Sequence, residues 1–127
     1  MKQPEYEACK NVLDKLLEER YSKKNTWFLH PVDVDGLPDY KNVVSKPMDL
    51  STVKDNLERR IYKTSDQFLK DVKLIYQNAQ KYNRKRHKPV YDAACFMSQR
   101  LDEIILTNQD SLGVSCAEAA GEKGKVR

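Results

Sequence analysis

One segment of the chain carries an unbroken helical period, and this feature constrains the fold more than any other. From position 68 to position 82, apolar residues recur at steps of four, three, four and three: Phe68, Val72, Ile75, Ala79 and Tyr82. Such spacing places all five side chains on one face of an α-helix. Thr64 and Gln67, three residues apart just before this stripe, have the pattern of a capping box. The segment predicts a helix with one buried face.

Three other segments show a helical period over shorter stretches. Residues 4–21 form the first, a segment capped by Asp49 or Ser51 forms the second, and Pro89 fits the first turn of the last. Their predicted buried stripes are, in order, Cys9, Val12 or Leu13, Leu16 and Leu17; Leu50, Val53 and Leu57; Val90, Ala94, Met97, Leu101 and Ile104 or Ile105. No segment alternates polar and apolar residues as a strand would. The sequence therefore predicts an all-α bundle of four helices.

The chain length and the position where the helical period ends predict the domain organisation. The 127 residues suffice for one domain of ordinary size. The helical period ends near position 110, and the following residues are rich in Gly, Ala, Ser, Glu and Lys. We therefore expect a bundle over residues 1–110 and a flexible tail or linker over 111–127. We also expect this domain to be one module of a larger protein. We expect it to be monomeric, because no heptad stripe is left over for a second copy.

Composition argues against several classes of protein. No apolar run approaches the ~20 residues that span a bilayer, and the N-terminus lacks the apolar stretch of a secretory signal, so we expect neither a membrane nor a secreted protein. Cys9, Cys95 and Cys116 are widely separated, and so are His30 and His87. Without clustered ligands we expect reduced cysteines, no metal and no cofactor. Without a Gly-rich phosphate loop or a recognisable nucleophile and base, we expect no enzyme.

The segment between positions 22 and 48 is unusual for a loop. It has no sustained period and contains three of the five prolines, so we expect at most one short helical turn. Loops of this length are uncommon and usually functional. It also contains ten large apolar residues, from Trp27 to Met48. A solvated linker would not contain them, so we expect the loop to fold back on the bundle and enclose a pocket.

Charge is distributed unevenly around a net value of +4. Positions 25–40 contain Asp33, Asp35 and Asp39 without any Lys or Arg. Five basic residues lie close together further along the chain: Lys81, Arg84, Lys85, Arg86 and Lys88. Three interpretations of this basic run are open, namely a solvated loop, contact with nucleic-acid phosphates, and a nuclear localisation patch.

Several short motifs resemble those of one known family. They are residues 28–33 (FLHPVD), 37–40 (LPDY), 46–53 (KPMDLSTV), 78–83 (NAQKYN) and 90–91 (VY). In order and spacing, over roughly residues 5–106, they resemble a bromodomain. The resemblance implies a left-handed four-helix bundle with a long first inter-helix loop. It also implies a reader of acetylated lysine, with its pocket between that loop and the loop after the third helix.

The resemblance implies roles for individual residues. Asn83 would donate from its side-chain amide to the acetyl carbonyl, although its position alone also fits a helix cap. Tyr40 would hold a water that bridges to the same oxygen, and Tyr82 would pack beside Asn83. The apolar wall would consist of Val32, Leu37, Phe28 beneath the acetyl methyl, Val90 at the entrance, and Trp27. The alternative for these aromatic and apolar side chains is plain packing.

Two features depart from the family pattern. The family often has Trp-Pro-Phe before the loop, whereas here Trp27 directly precedes Phe28, so the tryptophan is one place late and the proline is missing. Asn83 and Val90 are seven residues apart, one more than is common, which makes Pro89 a rival for the entrance position. The helical stripe that begins at Val90 favours Val90.

The chemistry of acetyl-lysine suits such a pocket. Acetylation replaces a hydrated ammonium with a neutral amide and a small methyl, so a reader needs an apolar slot and an uncharged donor such as Asn. Unmodified lysine would bury its charge there, which is strongly unfavourable without a partner. We therefore predict binding without catalysis, to acetylated histone or other protein tails, in the nucleus. The alternatives are a nucleic-acid-binding helical module that uses the basic loop at 81–88, and a bromodomain-like scaffold for protein docking.

Overall fold

A computed structural model of the protein describes residues 1–112. Its helices are α1 (Gln3–Leu16), α2 (Ser22–Asn25), α3 (Tyr40–Val43), α4 (Leu50–Glu58), α5 (Ser65–Asn83) and α6 (Lys88–Leu112), and short 3-10 segments occur at Glu19–Tyr21 and Val34–Gly36. The bundle consists of α1, α4, α5 and α6, and α6 packs along both α1 and α5. Within residues 1–112 no strand is found, so the predicted all-α fold with four main helices is confirmed.

The predicted stripes form the core of this bundle. All five residues of the α5 stripe are buried, and so are the three predicted for α4. The α6 stripe is also buried and ends at Ile105, whereas Ile104 is only partly covered. Burial raises the pKa of the Cys9 thiol to about 12. This cysteine therefore stays protonated and acts as a small core residue, as predicted.

Both predicted N-terminal caps are confirmed. The Asp49 carboxylate accepts a hydrogen bond from the backbone N–H of Thr52 (3.0 Å) at the start of α4. The Thr64 hydroxyl accepts from the backbone N–H of Gln67 (3.3 Å) at the start of α5, and the Gln67 side chain accepts from the N–H of Lys63 (2.8 Å). These N–H groups have no partner within their helices, so the caps fix where the loops end and the helices begin.

The first helix is shorter than predicted. It ends at Leu16 instead of continuing to position 21, and Leu17, a predicted stripe residue, is 37% exposed. The reason is Asn25, which is 1% exposed and donates from its side chain to the Leu16 carbonyl at 2.7 Å. In a continuing helix that carbonyl would accept from Arg20. The Tyr76 hydroxyl donates to the side-chain oxygen of Asn25 at 3.2 Å, which attaches this turn to α5.

The long loop contains more helical structure than predicted. Three short turns, α2, Val34–Gly36 and α3, replace the single turn expected from the sequence. The second begins where the Asp33 carboxylate accepts from the backbone N–H of Asp35 at 3.1 Å. Turns of one helical period are too short to give a sequence stripe, so periodicity could not reveal them.

The last helix continues past the predicted boundary at position 110. It reaches Leu112, the last described residue, which is buried and whose carbonyl accepts from the Ser65 hydroxyl at the start of α5. The first two residues of the predicted tail are therefore helical, because Leu112 adds to the core. Residues 113–127, the rest of that predicted tail, lie outside the described residues.

Over the part of the chain that the structure describes, no helix is both long and apolar enough to cross a membrane. The same residues contain no group of three or more His, Cys, Asp or Glu side chains arranged to hold a metal ion.

Candidate functional site

A cavity of about 640 Å³ opens where the long loop meets the loop after α5. All eight residues singled out by the resemblance line it: Trp27, Phe28, Val32, Leu37, Tyr40, Tyr82, Asn83 and Val90. The fold therefore brings together side chains from the long loop, the end of α5 and the start of α6, which are far apart in the sequence.

Hydrogen bonds hold the long loop against the bundle near its beginning and near its end. The first N–H groups of α4, at Leu50 and Ser51, donate to the carbonyls of Phe28 (2.8 Å) and Leu29 (3.0 Å). These N–H groups have no partner within their own helix, so the loop satisfies them. Near the other end of the loop, the Asn78 amide of α5 donates to the carbonyl of Lys46 at 2.8 Å. The cavity wall is therefore fixed at two places.

Phe28 supplies a buried aromatic part of the cavity wall. It is 4% exposed, and its ring meets that of Tyr76 edge-on, with centroids 5.3 Å apart and planes at 90°. Aromatic pairs favour this geometry because ring edges and faces carry opposite partial charges. Ile75 and Ala79 of α5 add further apolar lining. This side of the cavity is therefore apolar.

Asn83 is the last residue of α5, and it lines the cavity half-buried. Its amide nitrogen donates to the carbonyl of Ala79, one turn earlier, at 3.0 Å. An amide nitrogen has two hydrogens, so this bond orients the group while the second hydrogen is available to a ligand. The alternative that Asn83 ends a helix also fits, because Asn83 is the last residue of α5, directly before the C-cap Arg84, and its side chain bonds to a carbonyl of the last turn.

Tyr40 and Tyr82 pack against each other where the long loop meets α5. Their ring centroids are 4.8 Å apart, and with Val44 they form a small cluster separate from the main core. Burial raises the pKa of the Tyr40 hydroxyl above its ordinary value, and the neighbouring Tyr82 raises it further. The Tyr40 hydroxyl therefore stays protonated at neutral pH as an uncharged donor, and the residue is part of the cavity lining.

Asp39, which precedes Tyr40, joins the long loop to α5 and to the loop that follows α5. The Tyr82 hydroxyl donates to one carboxylate oxygen of Asp39 at 2.7 Å, and the Arg86 guanidinium donates to the other at 3.2 Å. Arg86 also donates to the Tyr82 carbonyl at 2.6 Å, and its guanidinium carbon lies 4.3 Å from the centre of the Tyr82 ring. We call this arrangement the Asp39–Tyr82–Arg86 bridge.

The bridge shifts the acidity of its members. The Tyr82 hydroxyl that donates to Asp39 lowers the pKa of this carboxyl below its ordinary value, and Arg86 acts in the same direction. The same hydrogen bond raises the pKa of the Tyr82 hydroxyl. Because folding lowers the pKa of Asp39, its carboxylate stabilises the folded state at neutral pH. That contribution is lost as the pH falls from the ordinary Asp value of about 3.9 through the lowered pKa.

We expect an NMR titration of the Asp39 carboxyl carbon to give a midpoint below about 3.9. Tyr82→Phe should raise this midpoint more than Arg86→Gln does, because the hydroxyl bond is the larger cause. Lys85→Gln is the matched control, since it removes an exposed neighbouring charge without touching the bridge, and it should move the midpoint least. A wild-type midpoint at or above about 3.9 would contradict the bridge.

The two departures from the family pattern have definite positions in the structure. Trp27 is 43% exposed and lines the cavity, with its ring centroid 6.3 Å from that of His87. Trp27 therefore lies where the two loops approach each other, although it is one position closer to Phe28 than the tryptophan in the family pattern. Val90 is buried in the cavity lining, whereas Pro89 is exposed and lies outside that lining. The geometry favours Val90 for the entrance position.

Half of the residues around the cavity were not predicted as site residues. These further lining residues are Thr26, His30, Pro31, Met48, Ile75, Ala79, Arg86 and His87. Ile75 and Ala79 belong to the α5 stripe that ends at Tyr82, so this stripe could have indicated that both residues line the cavity. Arg86 and His87 offered no comparable signal, because a run of basic residues is most often solvated.

All five basic residues of the run at 81–88 are exposed, and two of them also form ion pairs. Arg86 belongs to the bridge, and the Lys88 ammonium lies 3.3 Å from the Asp92 carboxylate. Lys81, Arg84 and Lys85 are exposed. Contact of this run with nucleic acid stays a prediction.

Sequence comparison relates the chain to one family. A family model described as Bromodomain matches residues 9–95. Transcription factor GTE2 of Arabidopsis thaliana is 44% identical over 95 residues, which cover 72% of this chain and 16% of that protein. Bromodomain-containing factor 2 of Saccharomyces cerevisiae is 36% identical over 116 residues, which cover 87% of this chain and 17% of that protein. The chain thus spans about one-sixth of the length of these curated relatives.

Comparison with solved structures also indicates similarity to bromodomains. The second bromodomain of Candida albicans Bdf1, bound to an imidazopyridine, matches with a TM-score of 0.74 and 29% identity, over 82% of this chain and 99% of that domain. Its unbound form matches with the same TM-score and identity, over 82% of this chain and 97% of that domain. Both matches are consistent with the left-handed four-helix bundle implied by the sequence motifs. The chain belongs to the bromodomain family.

Proposed function

We propose that this chain recognises acetylated lysine on protein tails, above all histone tails, in the nucleus, and that it does so without catalysis. Bromodomains as a family are acetyl-lysine readers, and the relatives include a transcription factor. One observation carries the proposal for this chain. Asn83 and Tyr40 both line the cavity within an otherwise largely apolar set of residues, which suits a neutral amide with a small methyl.

The polar contacts would come from Asn83 and Tyr40. The second amide hydrogen of Asn83 would donate to the acetyl carbonyl, while the first keeps its bond to Ala79. The protonated Tyr40 hydroxyl would donate to a water that bridges to the same oxygen. Tyr82 would support both groups, because it packs on Tyr40 and directly precedes Asn83.

The apolar contacts would come from the long loop and from α6. Val32 and Leu37 would form the loop wall, Phe28 would lie beneath the acetyl methyl, and Val90 would stand at the entrance. Trp27, partly exposed, would flank the aliphatic stem of the lysine.

Discrimination against unmodified lysine would come from what the lining lacks. Within the described residues, no carboxylate lines the cavity. An ammonium would therefore lose its hydration against apolar walls and an amide donor without gaining a counter-charge. The acetyl group's own hydrogen bond contributes only about 0.5–1.5 kcal/mol net, so this penalty is the larger source of selectivity. One direct bond and a small apolar slot predict weak binding, with a Kd between about 1 µM and 1 mM.

An NMR amide-shift titration tests the proposal directly. The ligands are a histone H4-like tail peptide in multiply acetylated and in unmodified form, added to the wild-type protein. We expect only the acetylated peptide to move a set of cavity resonances: those of Val32, Leu37, Tyr40, Asn83 and Val90. If neither peptide moves these resonances, the acetyl-lysine assignment fails for this ligand. If both peptides move only residues 81–88, binding is by charge, and the nucleic-acid alternative becomes the leading hypothesis.

A further inference from the structure

Two members of the bridge lie next to the residues proposed to hold the acetyl group. Asp39 directly precedes Tyr40, and Tyr82 directly precedes Asn83. The hydrogen bond between Asp39 and Tyr82 therefore links the loop that presents the Tyr40 hydroxyl to the helix end that presents the Asn83 amide. Those two polar groups are 43 positions apart in the sequence, so their separation in space depends on contacts of this kind.

Arg86 contacts both of the other bridge residues. One guanidinium nitrogen donates to Asp39, a second donates to the Tyr82 carbonyl, and the planar group lies over the Tyr82 ring. The Tyr82 carbonyl is among the last of α5, where a cation is favourable because helix C-termini carry partial negative charge. A planar fork that stacks and donates in two directions is specific to arginine and is not reproduced by lysine.

The charged contact in this bridge is accessible to solvent. The Arg86 side chain is 42% exposed and that of Asp39 is 49% exposed. Exposed ion pairs are screened by salt, so the attraction between these two groups weakens as ionic strength rises. If the bridge holds the two sides of the pocket in register, affinity for an uncharged ligand acquires a salt dependence that the ligand itself cannot explain.

We infer that Arg86 is a positioning residue for the acetyl-lysine site. This inference rests on the proposed function for the identity of the ligand. Through Asp39 and Tyr82 it keeps the long loop and the C-terminal end of α5 at a fixed separation, so that Tyr40 and Asn83 face one carbonyl together. Loss of the bridge lowers the fraction of molecules with this arrangement, and the apparent affinity falls in proportion to that fraction.

The test uses an uncharged probe, the diacetylated lysine methylamide, with the wild-type protein, Arg86→Gln, Asp39→Asn and the double variant. Lys85→Gln is the matched control, because it removes one positive charge from the same loop outside the cavity lining. Affinity is measured by NMR or calorimetry between about 10 mM and about 1 M salt, where the screening length falls from about 30 Å to about 3 Å. Relaxation of the loop amides over residues 32–43 is measured without ligand.

We expect Arg86→Gln and Asp39→Asn each to weaken binding about two- to fivefold at low salt. The double variant should be no weaker than the poorer single variant, because both changes break one bridge. High salt should weaken the wild type and Lys85→Gln but not Arg86→Gln, and the loop amides of Arg86→Gln should be more mobile than those of the wild type. Arg86→Lys should restore part of the salt dependence, because it keeps the charge.

Three results would overturn the inference. The first is unchanged affinity and salt dependence in Arg86→Gln. The second is full additivity in the double variant, which would mean that Arg86 touches the ligand independently of Asp39. The third is unchanged loop relaxation without ligand. If the wild type binds no acetylated ligand while Arg86→Gln still loosens the loop, the proposed function fails and the positioning of the loop by Arg86 stands.

Discussion

Replacing Asn83 with alanine is expected to weaken the binding of acetylated lysine by about 5- to 150-fold while the fold remains intact. The variant removes the direct donor to the acetyl carbonyl, which would then be held in a largely apolar pocket with an unsatisfied lone pair. Leaving a buried polar group unpaired costs about 1–3 kcal/mol, which corresponds to an affinity loss of about 5- to 150-fold. Applied to a wild-type Kd between about 1 µM and 1 mM, such a loss gives a Kd between about 5 µM and 150 mM.

The stability of the Asn83→Ala protein should change little. The side chain is half-buried and makes one internal bond, to the Ala79 carbonyl at the end of α5. Loss of such a bond costs about 1 kcal/mol. Asn108→Ala is the control, because Asn108 makes the same bond to a carbonyl four residues earlier, that of Ile104 at 2.8 Å, outside the cavity lining. Asn108 also accepts from the Asn11 amide (3.0 Å) and donates to the Thr107 hydroxyl (3.1 Å), so its loss should cost at least as much stability as that of Asn83.

We compare the two variants by calorimetric titration with the acetylated peptide, which measures affinity, and by thermal unfolding, which measures stability. Asn108→Ala should bind like the wild type, and it should unfold at the same temperature as Asn83→Ala or at a lower one, because it loses more internal hydrogen bonds. An unchanged Kd for Asn83→Ala would remove the amide from the recognition mechanism. Equal loss of binding in both variants would attribute the effect of Asn83→Ala to helix destabilisation.

Local signals were sufficient to predict the main helices of this chain. The α5 stripe and the Thr64 cap depend only on residues within a few positions of each other, and both are as predicted. The end of α1 depends on a distant partner instead. Asn25 takes the Leu16 carbonyl and thereby ends the helix, and nothing within the periodic segment indicates this. Leu17 was therefore predicted to be buried and is exposed.

The cavity lining also contains some residues that the sequence predicts and others that depend on distant contacts. Seven of the eight predicted residues came from motifs whose order and spacing resemble a family, and Trp27 came from comparison with the Trp-Pro-Phe pattern of that family. Such motifs identify positions without any knowledge of contacts. Arg86 belongs to no quoted motif, and its partner Asp39 lies 47 positions away. A basic run and an acidic loop can be recognised in a sequence, but which of their members meet is determined by the packing of the loops. The bridge therefore required the structure.

Replacing Phe28 with alanine is expected to affect stability far more than affinity, the reverse of Asn83→Ala. Phe28 is 4% exposed and packs edge-on against Tyr76 in the main core. Removing a buried Phe side chain costs about 3–5 kcal/mol, since it loses the burial and leaves a cavity. For a domain of this size the melting temperature should fall by more than about 10 °C.

The adjacent Trp27 provides the control for this change. It is 43% exposed, so Trp27→Ala should cost about 1 kcal/mol or less, although a larger side chain is removed. Thermal and urea unfolding of the two variants, followed by circular dichroism, measures the difference. A comparable loss of stability in both variants would contradict the placement of Phe28 inside the core and of Trp27 at its edge.

The effect of Phe28→Ala on binding should be small at a temperature where the variant is fully folded. The proposed contact with Phe28 involves one acetyl methyl, and burial of one such group contributes about 0.8 kcal/mol, or about fourfold in Kd. The donors at Asn83 and Tyr40 would remain. A folded Phe28→Ala protein that no longer binds the acetylated peptide would show that the ring shapes the whole pocket, because loss of one methyl contact cannot account for that result.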